Sequence, residues 1–466
     1  MSARSRDLSH QLLNGPITRS LFRLAWPVML SNSFQTAYNF IDRFWLGRYD
    51  PLGIAALSLS WPLVFLVIAV GSGMTIAGMA LVAQYTGAQR SEDANLASGQ
   101  VIAFTTLLAA VLAIIGIFVA RPILSLQSPD VAVVEAATGY LQIIYAGIPL
   151  VFGTFVITAL LNGVGDTITP MILMGISVGL NIALDPFFIF GWGPFPEWGI
   201  QGAAVATVLS RAALTAVGFF LLFTGRLGLH VRPHHLRLRW RHVRQIFSIG
   251  SLASVGQSAT AVGFAFMNRA LGHIGTPVLT AFGIGNSFIS IVLMPVMGLG
   301  QAAATMVGQN LGADQSDRAR KSAWTGVWLS TAILAAAAVV VLILRTSLVR
   351  IFITDPEVLA TVLPIADDMF VLVAFAFPFM GIIQVAMGTY QGSGHTFYSM
   401  FFGLFRLWVL RVPLVYLLGF AAGMGANGVW WAMLASNFGT AVLSATLLRS
   451  GNWMKRVIKE PAALEA

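Results

Sequence analysis

The sequence predicts an all-α integral membrane protein with twelve transmembrane helices, and its composition and hydropathy support this fold class. Hydrophobic residues make up 57% of the 466 residues and charged residues only 10%, against about a quarter charged in an ordinary soluble domain. The mean hydropathy is +0.80. A water-soluble fold cannot bury so much apolar surface, because a large part of its own surface must contact water. The composition therefore excludes a soluble enzyme, a disordered regulator and a nucleic-acid-binding protein.

Twelve segments are long and apolar enough to be transmembrane helices, each of which requires about 20 mainly apolar residues. Polar breaks that carry most of the charged residues separate these segments, and the longest break lies in the middle of the chain. The predicted helices span residues 19–43, 52–83, 95–120, 133–161, 168–190, 200–223, 245–268, 277–308, 322–345, 358–390, 397–420 and 427–449.

The distribution of Arg and Lys predicts the orientation of these helices. If the N-terminus is cytoplasmic, the central polar break, which is rich in Arg and His, follows an even number of helices and is cytoplasmic too. The basic loops around Arg90 and Arg318 and the basic C-terminal end then lie on the same side, as the positive-inside rule requires. We therefore predict a multi-pass protein of the cell inner, or plasma, membrane with both termini in the cytoplasm.

The two halves of the chain resemble each other at an offset of about 225 residues, as in Gly73 and Gly298. An even number of helices in each half gives both halves the same topology, which predicts two six-helix bundles related by a pseudo-twofold axis along the membrane normal. Further matched pairs are Pro129 with Pro356, Gly165 with Gly394, Gly199 with Gly425 and Gly202 with Gly428. The predicted segments are a cytoplasmic N-terminal segment (1–18), an N-lobe (19–224), a basic cytoplasmic linker (225–244), a C-lobe (245–449) and a cytoplasmic tail (450–466).

An acidic residue ends the first predicted helix, which is unusually polar. Asp42 follows Tyr38 by one helical turn, so the two side chains share a face, and Asn39 adds a further polar group. Ionisable residues within membrane helices are costly and indicate function by default. Pro27 removes a backbone hydrogen bond early in the same helix and permits a kink. We therefore predict that this helix bends and that Asp42 belongs to a functional site.

A second polar group lies in the fifth and sixth predicted helices. Asn181 and Asp185 are four residues apart on one helix, so both side chains point to one place, and Thr207 lies on the next helix. Together with Asp42 they supply two carboxylates, an amide and a hydroxyl, which are the oxygen ligands that a hard cation prefers. Two neighbouring carboxylates also favour a shared proton. The residues therefore predict a cation site at Asp42, Asn181, Asp185 and Thr207, with Na⁺ and H⁺ both open.

The C-lobe lacks equivalents of these acids, since Met267 aligns with Asp42. This asymmetry assigns ion handling to the N-lobe. Asp367 and Asp368 lie in one C-lobe helix, and Arg406 and Arg411 lie in another. We expect these four residues to form structural ion pairs, whereas a role in substrate binding or gating is the alternative.

Residues 163–166 fit the GxGD pattern of intramembrane aspartyl proteases, and Tyr49-Asp50 supplies the accompanying acid. Two apposed carboxylates that share a proton would be the chemistry of such an enzyme. Asp50 and Asp166, however, lie at helix ends on opposite sides of the predicted membrane. The protease therefore stays a distant alternative.

The pattern of residues resembles the MATE (multidrug and toxic compound extrusion) family. The resemblance extends over nearly the whole chain and is most specific at Asn181–Pro186 and at Asp42, with further matches at residues 82–88 and 307–313. It is closest to the DinF-like branch. That resemblance implies an N-lobe cation site made by Asp42, Asn181, Asp185 and Thr207, and bending of the first helix at Pro27. The NorM-like branch has acids in the C-lobe, whereas Gly381 stands where one of them is expected here.

The expected function is a secondary antiporter that exports cationic or amphipathic drugs and toxic organic compounds, coupled to H⁺ or Na⁺, by alternating access between two lobes. We expect a monomer in the lipid bilayer that is no enzyme and requires no cofactor, nucleotide or nucleic acid. The sequence has no GxxxxGK[ST] loop. The alternative is a lipid or lipid-linked-precursor flippase of the same superfamily, for which a lateral basic cavity that holds phosphates is expected.

Overall fold

The computed structural model describes residues 3–353 and 355–458, and this part of the chain is helical without any strand. The last residues of the predicted C-terminal tail, 459–466, lie outside it. In the first half the helices are α1 (Ala3–Asn14), α2 (Ile17–Tyr49), α3 (Pro51–Gly87), α4 (Ser91–Gln127), α5 (Val131–Val164), α6 (Ile168–Phe190) and α7 (Ile200–Phe223). In the second half they are α8 (Trp240–Ile274), α9 (Thr276–Gly312), α10 (Ser316–Phe352), α11 (Pro356–Gly392), α12 (Thr396–Leu404), α13 (Val412–Leu414) and α14 (Gly425–Ser450).

Eleven helices of the described chain are long and apolar enough to cross a membrane, which confirms a multi-pass all-α membrane protein. One of them, Thr396–Ala421, contains α12, α13 and two π-helical segments, Phe405–Arg411 and Val415–Ala421. The first predicted helix, α2, has 33 residues and is long enough. It is less apolar than the other eleven because most side chains from Ser31 to Asn39 are polar.

The chain folds into two compact units whose boundaries differ from those of the predicted lobes. One unit comprises the chain up to Asn14 and Leu30–Ser254, and the other comprises Gly15–Met29 and the chain from Val255 onwards. The first part of α2 thus belongs with the second half of the sequence, and the first part of α8 belongs with the first half.

Close backbone packing explains this exchange of helix segments. In the first unit Gly73 of α3 lies against Gly250 and Ser254 of α8, and the Ser254 hydroxyl donates to the Val70 carbonyl at 3.0 Å. In the second unit Gly298 of α9 lies against the backbone of Ala25 in α2. Glycine permits such approaches because it has no side chain. A division of the chain based on the sequence alone does not reveal these close contacts.

The internal repeat is confirmed within each unit. In the first unit α5 packs against α3, α4 and α7, and in the second unit α11 packs against α9, α10 and α14 in the same order. The backbone repeats as well, since left-handed conformations recur at matched positions. The pairs are Gln89 (φ 57°) with Asp314 (φ 59°), Gly199 (φ 56°) with Gly425 (φ 57°), and Gly165 (φ 90°) with Gly394 (φ 81°).

The helix caps correct the predicted register of the repeat at one place. Asp130 accepts hydrogen bonds from backbone N–H groups in the first turn of α5, and Asp355 does the same for α11. These two acids are therefore equivalent, and the predicted match of Pro129 with Pro356 is wrong by two residues. The error arose because the sequence offers a proline beside each acid, whereas only the capping geometry shows which residue begins the helix.

The basic linker is held to the first unit by hydrogen bonds from α4. The Gln100 side chain donates to the carbonyls of His235 and Arg237, both at 2.7 Å, and accepts from the Arg239 N–H. His235 is buried, and its Nε2 lies 2.8 Å from the Glu92 carboxylate while its Nδ1 accepts from the Arg232 N–H. The linker is thus an ordered segment packed on α4.

Replacing Gly392 with Ala is expected to lower the melting temperature by at least about 3 °C. The added Cβ would overlap the backbone oxygen of Ala304 where α11 packs on α9, and overpacking costs roughly 1–3 kcal/mol. Gly283→Ala in α9 is the matched control, since nothing lies within 4 Å of its Cβ position. Thermal unfolding of the purified protein, followed by tryptophan fluorescence, measures both. An equal melting temperature for the two variants would contradict this account.

Candidate cation site

Two acidic side chains meet inside the first unit. Asn181 and Asp185 of α6 are both fully buried, and the Asn181 amide donates to Asp185 Oδ1 at 3.1 Å. Asp42 of α2 lies close enough to interact with both of them. The spacing of four residues on α6 therefore places the amide and the carboxylate on one face, as predicted. Asp42 lies beside them, as the predicted site also requires.

The remaining predicted ligands join the same group. Tyr38, one turn before Asp42, is buried and interacts with Thr207 of α7 as well as with both acids. The structure thus brings together all four residues of the predicted cation site, with Tyr38 beside them.

Several oxygen atoms of this group are buried without a hydrogen-bond partner. A buried polar atom without a partner costs about 1–3 kcal/mol, so a cluster of them indicates a site that binds a ligand. Carboxylate, amide and hydroxyl oxygens suit a hard monovalent cation or a proton. The unpartnered atoms are Tyr38 Oη, Asp42 Oδ1, Asn181 Oδ1, Asp185 Oδ2 and Thr207 Oγ1.

Arg211 of α7 adds a positive charge that sequence reasoning did not assign to the site. Its side chain is 7% exposed and donates to Gln35 Oε1 at 2.7 Å. Its guanidinium carbon lies 4.9 Å from the centre of the Tyr38 ring, and its charge acts on Asp42. One signal was available, because Arg211 follows Thr207 by one helical turn and therefore shares its face. With both carboxylates ionised, one guanidinium leaves one negative charge, which a bound Na⁺ or a proton shared by the two acids would balance.

Two further residues, Asn39 and Tyr140, lie beside the site. Asn39, predicted to support the site, accepts a hydrogen bond from Gln35 at 3.3 Å and so joins the network through Gln35. Tyr140 of α5 is buried and interacts with both Asp42 and Asp185. Sequence reasoning missed Tyr140, because a single tyrosine in a mainly apolar helix is ordinary.

The predicted ion pairs of the C-lobe are wrong. Asp367 of α11 pairs with Arg345 of α10, at 2.6 Å from Nε to Oδ1, and Asp368 is exposed. Arg411 Nε donates to the Ser436 hydroxyl at 2.9 Å, and no acid in the described residues forms an ion pair with Arg406 or Arg411. The reason is that Arg345 on the neighbouring helix satisfies Asp367, and sequence separation did not reveal this neighbour.

The two acids of the protease-like motif are helix caps. Asp50 accepts from the Leu52 N–H at 2.9 Å at the start of α3. Asp166 accepts from the Thr169 N–H at 3.0 Å and from the Thr169 hydroxyl at 2.7 Å at the start of α6. Both carboxylates have a structural role, which removes the reason for the protease alternative.

The predicted hinge residue Pro27 lies within α2, which continues as a helix from Ile17 to Tyr49. Bending at this position stays a prediction.

A family model described as MatE matches residues 27–187 and 253–417, two blocks that correspond to the two repeats. The chain is 28% identical to the "Probable multidrug resistance protein YoeA" of Bacillus subtilis over 89% of each protein. It is 26% identical to the "FAD transporter" of Shewanella oneidensis over 91% of this chain and 92% of the relative. A solved structure of a MOP superfamily transporter from Pyrococcus furiosus has the same fold, with a TM-score of 0.87 and 22% identity over 94% of this chain and 97% of that one.

Proposed function

Because the chain belongs to the MatE family, whose members are transporters and not enzymes, we propose that it is a cation-coupled secondary antiporter that exports amphipathic organic compounds, organic cations among them. The observation that carries this proposal is the pair of acids, half-buried Asp42 and fully buried Asp185, with buried unpartnered oxygens on and around them. Ionisable residues inside membrane helices are expensive to retain without a function.

The coupling ion is H⁺ or Na⁺, and Asp42, Asn181, Asp185 and Thr207 would hold it. Binding of one monovalent cation balances the single negative charge that Arg211 leaves uncompensated. For coupling, the cation and the exported compound must stabilise opposite-facing states of the transporter. In a one-for-one exchange with a monovalent organic cation no net charge crosses the membrane, so a tenfold gradient of the coupling cation supplies about 1.4 kcal/mol, which suffices for roughly tenfold accumulation.

The relatives support the kind of substrate. One is named a probable multidrug resistance protein and another a FAD transporter. We therefore expect the substrates to be small organic molecules that differ in charge. We place both termini in the cytoplasm, on the side of the basic linker, and propose that a monomer in the bilayer suffices without nucleotide or cofactor. A lipid or lipid-linked-precursor flippase is the second candidate, which the buried guanidinium groups of Arg406 and Arg411 favour.

Dye flux in proteoliposomes tests the proposal. The full chain is reconstituted, ethidium is supplied as a cationic dye, and inward Na⁺ or H⁺ gradients are imposed separately. We expect one of the two gradients to drive ethidium uphill and an ionophore that collapses this gradient to stop the flux. If neither gradient moves ethidium although the reconstituted protein is folded, export of organic cations by antiport is excluded, and labelled phospholipid becomes the next substrate to test.

A further inference from the structure

The second unit contains two guanidinium groups that lack an acidic partner. Arg411 is 4% exposed, and although its Nε donates to Ser436, its Nη2 is buried without a hydrogen-bond partner. Arg406 Nε is likewise buried and unpartnered. One N–H donor atom on each of the two cationic side chains is thus buried without a hydrogen-bond partner.

The local winding of the helix brings these two side chains together. Phe405–Arg411 is a π-helical segment, in which hydrogen bonds join residues five apart. Arg406 and Arg411, five residues apart, therefore lie on one face, whereas an α-helix would turn them roughly 140° away from each other. Arg406 is close enough for its charge to act on Arg411. Short π-helical segments occur frequently at functional sites.

Among the residues that the structure describes, no acid of the second unit forms an ion pair with Arg406 or Arg411. Asp367 pairs with Arg345, and Asp314 pairs with Arg456 at 2.8 Å. Two adjacent cations inside a membrane protein are costly, and such residues are retained when they bind something. An anion that reaches both groups would remove the repulsion and satisfy the free donors.

The repeat places Arg411 near the position equivalent to Asp185 of the cation site. The register of Gly199 with Gly425 matches Asp185 with Arg411, whereas the register of Gly165 with Gly394 matches it with Leu414. The first register, which applies at the start of α7 and α14, also matches Arg211 with Asn437. Asn437 Oδ1 is buried without a partner. The part of the second unit that corresponds to the cation site thus has a base nearby and a neutral amide in place of Arg211.

We propose that Arg406 and Arg411 form an anion-binding site in the second unit, which binds the phosphate or carboxylate group of an amphipathic ligand. Guanidinium groups suit these anions because their N–H donors match two oxygens at once. The inference deepens the proposed function and rests on it in one respect, namely that the ligand is an exported compound. The same chemistry is present in the headgroup of an anionic phospholipid, so both sources are tested.

Binding of FAD and riboflavin to the purified full chain in a neutral detergent tests the site. Both have the same ring system, but only FAD carries phosphates. Flavin fluorescence anisotropy should show that FAD binds at least tenfold more tightly than riboflavin. Arg411→Gln and Arg406→Gln should each weaken FAD binding tenfold or more and leave riboflavin unchanged. Arg449→Gln, which removes an exposed arginine at the end of α14, should leave FAD binding unchanged.

Addition of phosphatidylglycerol or phosphatidylcholine to the detergent distinguishes the two sources of the anion. If phosphatidylglycerol but not phosphatidylcholine protects the wild type against thermal unfolding, and Arg411→Gln abolishes this protection, the anion site stands and its ligand is a lipid headgroup. If neither FAD nor phosphatidylglycerol binding depends on Arg406 or Arg411 in variants that melt like the wild type, the site is excluded. A wild type that binds FAD through Arg411 but shows no gradient-driven flux would leave the anion site standing and exclude the antiport mechanism.

Discussion

Asp185→Asn is expected to abolish gradient-driven export while the protein still folds and binds its substrate. Asn is nearly isosteric with a neutral aspartic acid and still offers an oxygen to the Asn181 amide, whose bond to Asp185 is 3.1 Å long. It cannot, however, alternate between a charged and a neutral state or neutralise a cation. Uphill accumulation of ethidium should therefore fall from roughly tenfold, for a tenfold gradient of the coupling cation, to none, and Asp42→Asn should behave in the same way.

The measurement is ethidium flux in proteoliposomes, together with equilibrium binding of ethidium in detergent, which should change less than about threefold. Asp367→Asn is the matched control, since it also removes an acid from a membrane helix. Asp367 lies outside the site and pairs with Arg345. It should retain flux. Gradient-driven flux at the wild-type level in both Asp42→Asn and Asp185→Asn would show that antiport is correct and that the cation binds elsewhere.

Arg211→Gln is expected to raise the apparent affinity for the coupling cation about tenfold and to slow turnover several-fold. The guanidinium opposes an incoming cation because its charge acts on Asp42. Removing it leaves two carboxylates without a countercharge, so the bound cation is held more tightly and released more slowly. A tenfold change corresponds to about 1.4 kcal/mol, which is modest for a charge in such surroundings.

The dependence of ethidium flux on Na⁺ concentration or on pH measures this affinity. Arg211→Lys retains the charge and should keep the affinity within about threefold of the wild type, although a lysine cannot reproduce the guanidinium geometry. Arg48→Gln removes an exposed arginine from the end of α2 and should have no effect. If Arg211→Gln and Arg211→Lys lower the rate equally and leave the affinity unchanged, Arg211 only supports the structure.

The cation site was largely predictable because its chemistry is rare in a membrane sequence. Asp42 and Asp185 are conspicuous among apolar residues, and a spacing of four residues is enough to place Asn181 with Asp185. Arg211 was visible in the sequence, but its role was not, because the contact with Gln35 joins residues far apart in the chain. Tyr140 had no distinguishing neighbours at all. The ion pairs of Arg406 and Arg411 were predicted wrongly for the same reason, since the partner of Asp367 is on α10.

The sequence by itself determined the order and approximate position of the membrane helices, the internal repeat and the acidic residues of the first half, whereas several helices extend six or seven residues further at one or both ends than predicted. It could do so because the bilayer demands a certain length and hydrophobicity of each helix separately, and these properties are local. Only the tertiary structure decided which helix segments belong to which unit, which charges meet and which stay without a partner. Those outcomes depend on close packing between helices, such as Gly73 against Ser254, and on side chains that meet across the fold, which a one-dimensional pattern does not contain.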